Sequence, residues 1–293
     1  MGTTLGGLYQ WGGVPVASAS GSSVFGNTWF VDNSLSASGN GKRPDKAYTT
    51  IAAAVAVASE GDTIIVRGTG TDYDESVTLA TDSVTIKAAT THRMMCGWTA
   101  DTDTTCLTIT GDGCTVDGFL FRPDGATTGC AINISETGVT ESGMNTTIQN
   151  NMFKSTGTTC AYAILANGCP SFVHVLNNTF TWVGYGIKNE SASIKAARGW
   201  EIKGNWFTDK CTNGIYLTCN RCLVAGNHFS TMTTALNVAG YAAIGSFNEV
   251  HGNFFTGTYS ETGGYYASAS NDDDWSGNWN MGVTYGVTQA LPA

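Results

Sequence analysis

The amino-acid sequence predicts an all-β protein that is coiled into a parallel β-helix, a solenoid of stacked strands and turns. A six-residue pattern recurs at intervals of 22 to 27 residues. A second strand pattern recurs within these intervals, and no helical period of apolar residues runs through 100–280. Repeats of about 20 to 50 residues are typical of solenoids, in which each coil contacts only its neighbours.

The six-residue pattern has an aliphatic residue first, Gly or Asn third, Asn fourth and Phe sixth. We expect a short strand that runs into a tight bend, with the aliphatic residue and the Phe pointing inward. Gly or Asn then supplies the left-handed or otherwise unusual backbone conformation of the bend. A weaker copy at 116–121 has Phe119 in place of the fourth Asn, and 277–279 resembles a degraded last copy. The five clear copies occupy 148–153, 175–180, 202–207, 224–229 and 250–255.

The fourth residue of the pattern predicts an asparagine ladder. In stacked coils each Asn lies over the next, and its amide can donate and accept hydrogen bonds along the stack. The predicted ladder consists of Asn151, Asn178, Asn205, Asn227 and Asn253.

The second pattern is a short run of aliphatic residues that alternate with others, and it predicts two or three strands per coil. These runs lie at 132–134, 163–165, 186–188, 215–217 and 236–238.

One segment, 50–58, predicts a helix, because alanine favours helix and its apolar residues would cover an open end of the solenoid. Gly61 and Asp62 end this capping helix, and Thr63 begins the first coil. The predicted organisation has four parts. They are a Gly-rich apolar arm (1–26), an opening strand, loop and capping helix (27–62), the parallel β-helix (63–280) and a C-terminal tail or cap (281–293).

Composition excludes several classes of protein. Aromatic residues make up 11% of the 293 residues and charged residues only 13%, which is unlike a disordered chain. The net charge of −9 disfavours a nucleic-acid partner. The sequence has no basic, apolar leader and no run of about 20 apolar residues, so we expect no signal peptide and no membrane insertion. The expectation is a protein made in a host cytoplasm.

The N-terminal block carries a family resemblance. It contains Trp29-Phe30-Val31-Asp32, Gly39-Asn40-Gly41, the segment 44–51, the alanine helix and the segment 61–66. Together these resemble the first part of right-handed parallel β-helix proteins of the pectate-lyase-like superfamily. The resemblance implies a right-handed solenoid. Members with this block and no signal peptide are similar to phage virion proteins, including tailspikes, fibres and head-surface proteins, whereas secreted lyases and hydrolases form the other large group.

The outer face of the strand that begins each six-residue pattern provides the catalytic candidates His174, Glu201 and Glu249. Adjacent coils lie about 4.8 Å apart, so His174 should lie beside Glu201, with Glu249 about 9 to 10 Å from Glu201. Carboxyl groups about 6.5 to 9.5 Å apart suit inverting glycoside hydrolysis. Lys203 would neutralise Glu201, however, and we interpret the column as a solvated face.

Other clusters are interpreted as structural, and no cofactor is expected. Cys219 and Cys222 form a C-x-x-C pair near Cys211, but a second pair or a nearby His is missing, which favours buried thiols over a zinc site. Asp72, Asp74 and Glu75 are interpreted as turn residues. The run 272–274 is interpreted as an exposed charged cap rather than a calcium site.

The unrepeated ends are the candidate partner surfaces. Tyr9 and Trp11 lie in an apolar arm that either docks on a partner or folds back over the first coil. From 276 to 293, large apolar residues nearly alternate, which predicts a strand that seals the solenoid or pairs with a neighbour.

The predicted function is that of a non-enzymatic structural or host-contacting protein on the surface of a phage particle, either a head decoration or a tail spike or fibre. It would be a homotrimer attached to other virion proteins through the arm, with host surface glycan as a further partner. The alternatives are a polysaccharide-degrading tailspike, acting as hydrolase or lyase, and a carbohydrate-binding β-helix module.

Overall fold

Three long sheets of parallel strands wind around one axis in the computed structural model. The structure describes residues 3–5, 8–11, 14–17, 26–89, 96–135, 142–155, 160–168, 170–190, 197–208, 210–239, 247–257, 265–267 and 273–281. Along the chain, each coil contributes one strand to sheet 1, then one to sheet 2 and one to sheet 3, and every neighbouring pair in these sheets is parallel. The prediction of an all-β parallel β-helix is confirmed.

Sheet 1 contains the first strand of each six-residue pattern. Its strands, in spatial order, are β4 (Thr28–Val31), β5 (Thr63–Arg67), β8 (Thr85–Ala89), β11 (Thr115–Asp117), β14 (Thr147–Gln149), β17 (His174–Leu176), β21 (Glu201–Lys203), β24 (Leu223–Ala225) and β27 (Glu249–His251).

Sheet 2 contains the strand that follows the bend. Its strands are β6 (Tyr73–Asp74), β9 (Cys96–Thr99), β12 (Phe119–Phe121), β15 (Met152–Lys154), β18 (Thr179–Thr181), β22 (Trp206–Phe207), β25 (His228–Phe229), β28 (Phe254–Thr256) and β30 (Trp279–Met281).

Sheet 3 contains the interval strands, and all five predicted runs lie within it. Its strands are β7 (Val77–Leu79), β10 (Thr105–Ile109), β13 (Cys130–Ser135), β16 (Cys160–Asn167), β19 (Val183–Glu190), β23 (Asn213–Asn220), β26 (Thr234–Ala239) and β29 (Tyr265–Ala267), with β20 (Ala197–Arg198) paired to β23.

The bend between sheets 1 and 2 has the left-handed backbone that the pattern predicts. The residue before each stacked Asn has a φ between 57° and 66°, a conformation that Gly and Asn adopt more readily than other residues. These residues are Asn150, Asn177, Gly204, Gly226, Gly252 and Gly277.

A column of buried asparagine side chains follows this bend through the coils. Each Oδ1 accepts the backbone N–H and the Nδ2 of the Asn one coil earlier, as Asn205 does from Asn178 at 2.9 and 3.1 Å. Each Nδ2 also donates to a backbone carbonyl of the preceding coil, as Asn205 does to Val175 at 2.8 Å. Phe119 precedes the column and donates its N–H to Asn151. Asn278 follows Asn253 at the other end.

Phenylalanine rings stack along the interior of sheet 2. Their centroids are 4.6 to 5.3 Å apart, and successive ring planes lie within 10° of one another. All of these rings are buried. The stacked rings are Phe121, Phe153, Phe180, Phe207, Phe229 and Phe255.

The helix α1 (Ile51–Val55) is shorter than the predicted 50–58. It packs against β4, β5 and β7, and Ile51 and Ala54 are buried in the core. After Val55 the hydrogen bonds from Val57 and Ala58 tighten to three-residue spacing. Asp62 then anchors the chain, because its carboxylate accepts the backbone N–H of Ser59 and the indole N–H of Trp29. A short 3₁₀ helix, Pro44–Lys46, precedes α1.

The acidic residues after β5 do more than form a turn. The Glu75 carboxylate accepts the N–H groups of Ile51 and Ala52 at 2.8 and 2.9 Å, at the start of α1. Asp72 pairs with Arg122 at 2.6 Å. The interpretation of these residues as turn formers alone was wrong, because their partners are distant in sequence.

The exposed charged cap predicted for 272–274 is wrong at Asp273. This residue is buried, and its Oδ1 accepts the backbone N–H of Asn248 at 2.8 Å. Asp274 is exposed, and Asp272 lies outside the described residues.

The N-terminal segment is a three-stranded antiparallel sheet of β1 (Thr3–Leu5), β2 (Leu8–Trp11) and β3 (Val14–Ala17). Tyr9 and Trp11 both lie in β2. In the predicted tail, Trp279 and Met281 belong to β30, which pairs with β28, and 282–293 lies outside the described residues. Within the described residues, no helix is long and apolar enough to span a bilayer.

Candidate functional site

The outer face of sheet 1 brings the predicted acid and base residues into one column. The strand register places His174 beside Glu201, Glu201 beside Leu223, and Leu223 beside Glu249. These strands have a buried central residue between two more exposed ones, because successive side chains point to opposite faces.

The Glu201 carboxylate contacts two side chains, His174 and Lys203. Its Oε2 lies 2.8 Å from Nδ1 of His174, and its Oε1 contacts Nζ of Lys203. Lys203 first, and then His174, hold the pKa of Glu201 below its usual value. A carboxylate that stays ionised can accept a proton only weakly and cannot serve as a general acid near neutral pH.

Glu249 does not join this cluster. It is exposed and stands two coils from Glu201, about 9 to 10 Å away, with the apolar Leu223 between them. The spacing is at the upper limit for an inverting pair, which uses one raised pKa and one lowered pKa. The structure therefore brings His174 and Glu201 together but does not assemble them with Glu249.

The outer face of sheet 2 carries exposed aromatic side chains that the sequence analysis did not single out. Trp206, His228, Phe254 and Trp279 occupy one column in four successive coils. Trp206, Phe254 and Trp279 are 54%, 41% and 62% exposed. The sequence could have indicated this aromatic column. Its residues hold the fifth position of the six-residue pattern, which precedes the inward Phe and therefore points outward.

The outer face of sheet 3 carries a tyrosine cluster around Lys188, also absent from the sequence predictions. Lys188 Nζ lies 5.1, 4.6 and 5.9 Å from the ring centroids of Tyr162, Tyr185 and Tyr216. Tyr162 and Tyr185 stack with centroids 5.8 Å apart. Strict strand alternation predicts the opposite direction for Tyr162 and Tyr185, because each lies two residues before a buried isoleucine of its strand. The sequence signal of this contact was limited to Lys188 and Tyr216, which hold the same position in neighbouring strands.

A protein-family model matches most of this chain. The model described as NosD, periplasmic copper-binding protein, matches residues 55–280, which is most of the β-helix. The chain belongs to the NosD family. In sequence, no curated protein matches this NosD-family chain significantly.

Solved structures similar to this NosD-family chain are β-helix enzymes. An alginate lyase from Paenibacillus sp. str. FPU-7 has a TM-score of 0.52 and 14% identity, over 80% of this chain and 96% of its own. A rhamnogalacturonan lyase has a TM-score of 0.47 and 9% identity over 90% of each chain, and the pectate lyase Pel9A has 0.40 and 12% over 91% and 82%. At 14% identity the likeness to the alginate lyase shows the fold alone, a pectate-lyase-like right-handed parallel β-helix.

The described residues do not fit the copper in the NosD family description. Protein copper sites need several imidazole, thiolate or thioether ligands around one point. Within the described ranges, no group of three His, Cys, Asp or Glu side chains lies close enough together to hold a metal ion.

The cysteines singled out by spacing are buried thiols. Burial raises the pKa of Cys211 and Cys219, which keeps both protonated rather than as metal-binding thiolates. Cys219 lies near the end of β23 and Cys211 lies two residues before its start, so the strand separates them by about 20 Å, too far to share a metal ion. Cys219 and Cys222 contact each other through a hydrogen bond.

Proposed function

We propose that this NosD-family chain is a non-catalytic surface protein of a phage particle, in which the β-helix is a rigid rod that faces the host. The observation that carries the proposal is the continuous interior from Phe119 to Asn278. There, every coil is joined to the next by a buried amide and, over most of this length, by a stacked ring.

The rod has two further structural parts in this proposal. The asparagine column acts as a ladder that fixes the register of the coils. The helix α1 acts as a cap, since it buries its own Ile51 and Ala54 against the end where β4, β6 and β7 are the first strands of their sheets. A capped end keeps a solenoid from pairing with other chains.

The outer face of sheet 1 supports the non-catalytic part of the proposal. Glu201 is an ionised member of an ion-pair network with Lys203 and His174, and Glu249 is separated from it by Leu223. An inverting enzyme needs one protonated carboxyl group as its general acid, and the network opposes this role for Glu201.

The N-terminal sheet is the proposed attachment to other virion proteins, because β2 carries two large aromatic residues, Tyr9 and Trp11. Deleting residues 1–26 should abolish attachment to particles, while circular dichroism still shows the β-helix. A double variant, Tyr9→Ser with Trp11→Ser, should weaken attachment without removing the strands. Attachment of the deleted protein at the full level would refute this role.

Imaging tests the phage assignment directly. Gold-labelled antibody against this chain should decorate the surface of intact particles that encode it. Labelling confined to a bacterial periplasm, the location in the NosD family description, would contradict the assignment.

Host glycan contact is the second candidate function, and the tyrosine cluster favours it. Tyr162, Tyr185 and Tyr216 give an outward surface of phenol rings and hydroxyls around the cationic Lys188. A glycan array with purified protein should show binding that Tyr185→Ala weakens. Release of reducing ends from host polysaccharide, lost in Glu201→Gln, would instead establish the degrading tailspike.

A further inference from the structure

The outer face of sheet 2 carries an uncharged aromatic strip that the proposed function does not use. We define the strip as Thr179, Trp206, His228, Phe254 and Trp279, which neighbour one another in register on β18, β22, β25, β28 and β30. Three of the seven large hydrophobic side chains that the described part of the chain exposes lie in this single column. Such a concentration marks an interaction surface rather than scattered exposure.

The strip differs in charge from the rest of the molecule. The five strands that carry it contain no Asp, Glu, Lys or Arg, and burial lowers the pKa of His228, which keeps its ring neutral. The outer face of sheet 1, in contrast, carries ion pairs such as Lys87 with Asp117 and Lys203 with Glu201. Two copies of a chain with net charge −9 repel each other, and the strip is where they approach with least repulsion.

The coil repeat also suits contact between identical chains. The strip presents one side chain per coil, at a spacing of about 4.8 Å along the rod. Two parallel copies rotated about an axis along the rod place every residue of the strip at the height of its equivalent, as closed symmetry requires. The aromatic composition matches the cores of protein interfaces, where Trp and Phe are enriched and charged residues are depleted.

We propose that the strip is the surface on which copies of this chain pack side by side in parallel, in the homotrimer expected from the sequence. The assembly brings Trp206, Phe254 and Trp279 of each copy toward a common axis. It leaves the ion pairs of sheet 1 and the tyrosine cluster of sheet 3 facing solvent. The inference does not depend on whether the particle is a phage.

Sedimentation velocity of the full-length purified chain tests the proposal. The wild type should sediment as a trimer, and Trp206→Ser with Phe254→Ser should sediment as a monomer with an unchanged β-sheet spectrum. The matched control is Trp182→Ser with Phe247→Ser. It removes one Trp and one Phe that are 45% and 54% exposed but lie off the strip, and it should remain a trimer.

Three outcomes would overturn the proposal. They are a monomeric wild type, a strip variant that stays trimeric, and a control that dissociates as fully as the strip variant. A monomeric wild type whose Trp206 fluorescence responds to polysaccharide would assign the strip to glycan instead.

Cross-linking tests the parallel arrangement. All eight cysteines in the described part of the chain are buried, so Phe254→Cys adds an exposed thiol on the strip. Parallel copies should give a 254–254 disulfide under oxidation, with a dimer band on a non-reducing gel. An antiparallel pairing would give no such band, but would cross-link a mixture of Trp206→Cys and Trp279→Cys chains, and this result would refute parallel packing.

Discussion

Asn205 shows how one buried side chain satisfies several backbone and side-chain groups at once. Its Oδ1 accepts the N–H and the Nδ2 of Asn178, and its Nδ2 donates to the carbonyl of Val175 and the Oδ1 of Asn227. Buried polar groups cost free energy when they lack such partners. The amide therefore secures the bend without bringing a charge into the core.

Replacing this amide tests its contribution. Asn205→Leu keeps the volume but leaves the N–H of Asn178 without an acceptor, at about 1 to 3 kcal/mol, and removes the Nδ2 bonds to the carbonyl of Val175 and to Asn227. The free energy of unfolding, measured in urea, should fall by about 3 kcal/mol or more. Gln149→Leu, a half-exposed amide on the outer face of sheet 1, is the control and should change it by less than about 1 kcal/mol. Equal losses of unfolding free energy in both variants would show that an amide of the buried column stabilises the protein no more than an amide on the outer face.

The ion pairs of Glu201 predict a pH dependence. Because the folded pKa of Glu201 is lowered, its pairing stabilises the protein above the unfolded pKa, and this contribution is lost as the pH falls through the folded pKa. Wild type should therefore be more stable than Glu201→Gln at neutral pH, and the difference should shrink in acid. Thermal unfolding of both proteins at several pH values from pH 7 to pH 3 measures this difference in stability. Glu249→Gln, at an exposed position, should differ little from wild type at any pH. A difference for Glu201→Gln that stays constant with pH would contradict the pairing.

Which residues the sequence predicted depends on whether the partners hold equivalent positions in the repeat. His174 and Glu201 could be placed side by side because they hold the same position in successive copies of one pattern. Glu75 could not be assigned to α1, since its partners Ile51 and Ala52 lie outside the pattern, although they are 23 to 24 residues away. The tyrosine cluster was missed because Tyr162 and Tyr185 do not follow the strict alternation of their strands.

At the scale of elements, strand register follows from the repeat and the helix boundaries do not. Strands of sheets 1 and 2 are two to five residues long and are fixed by the bend that joins them. The helix was predicted to extend to Ala58, largely from its alanine content, but the observed helix ends at Val55. Beyond Val55 the hydrogen bonds have three-residue spacing, and the Asp62 carboxylate then binds the N–H of Ser59. Intrinsic propensity is a weak guide when a tertiary contact sets the end of an element.

The first turn of α1 depends on a residue from the next coil. Glu75→Ala removes the acceptor of two N–H groups, whereas the Thr50 side chain still accepts the N–H of Ala53. We expect a loss of about 1 to 2 kcal/mol in the free energy of unfolding, comparable to the loss of a helix N-cap. Denaturant unfolding measures it, with Glu60→Ala, an exposed residue after the helix, as the control. No loss in Glu75→Ala would indicate that α1 does not depend on this carboxylate.

At the scale of the whole molecule, the three faces of the rod have distinct chemistry. Sheet 1 faces outward with ion pairs, sheet 3 with tyrosines around a lysine, and sheet 2 with an uncharged strip. The inner residues are nearly uniform from coil to coil, and the outer ones vary. A repeated inner pattern fixes the fold, so the functional differences lie on the outer faces, which the repeat leaves unspecified.

The described part of the chain predicts a fold that does not depend on a bound metal. Within the described residues no cluster of ligands is present, so neither a chelator nor one equivalent of Cu²⁺ should shift the thermal midpoint. Calorimetry with and without each addition measures the shift, and titration calorimetry measures binding. Stoichiometric copper binding with a raised midpoint would contradict this prediction.

The asparagine column has a direction, and that direction matters during synthesis. In each pair, the earlier residue offers its N–H groups and the later one supplies the accepting oxygen, as Asn227 does for Asn205. A chain emerging from the ribosome therefore presents the N–H and Nδ2 donors of the Asn in its newest coil. The next Asn to emerge supplies the oxygen that accepts their hydrogen bonds. The nascent rod can lengthen one coil at a time, each finished coil serving as the template for the following one.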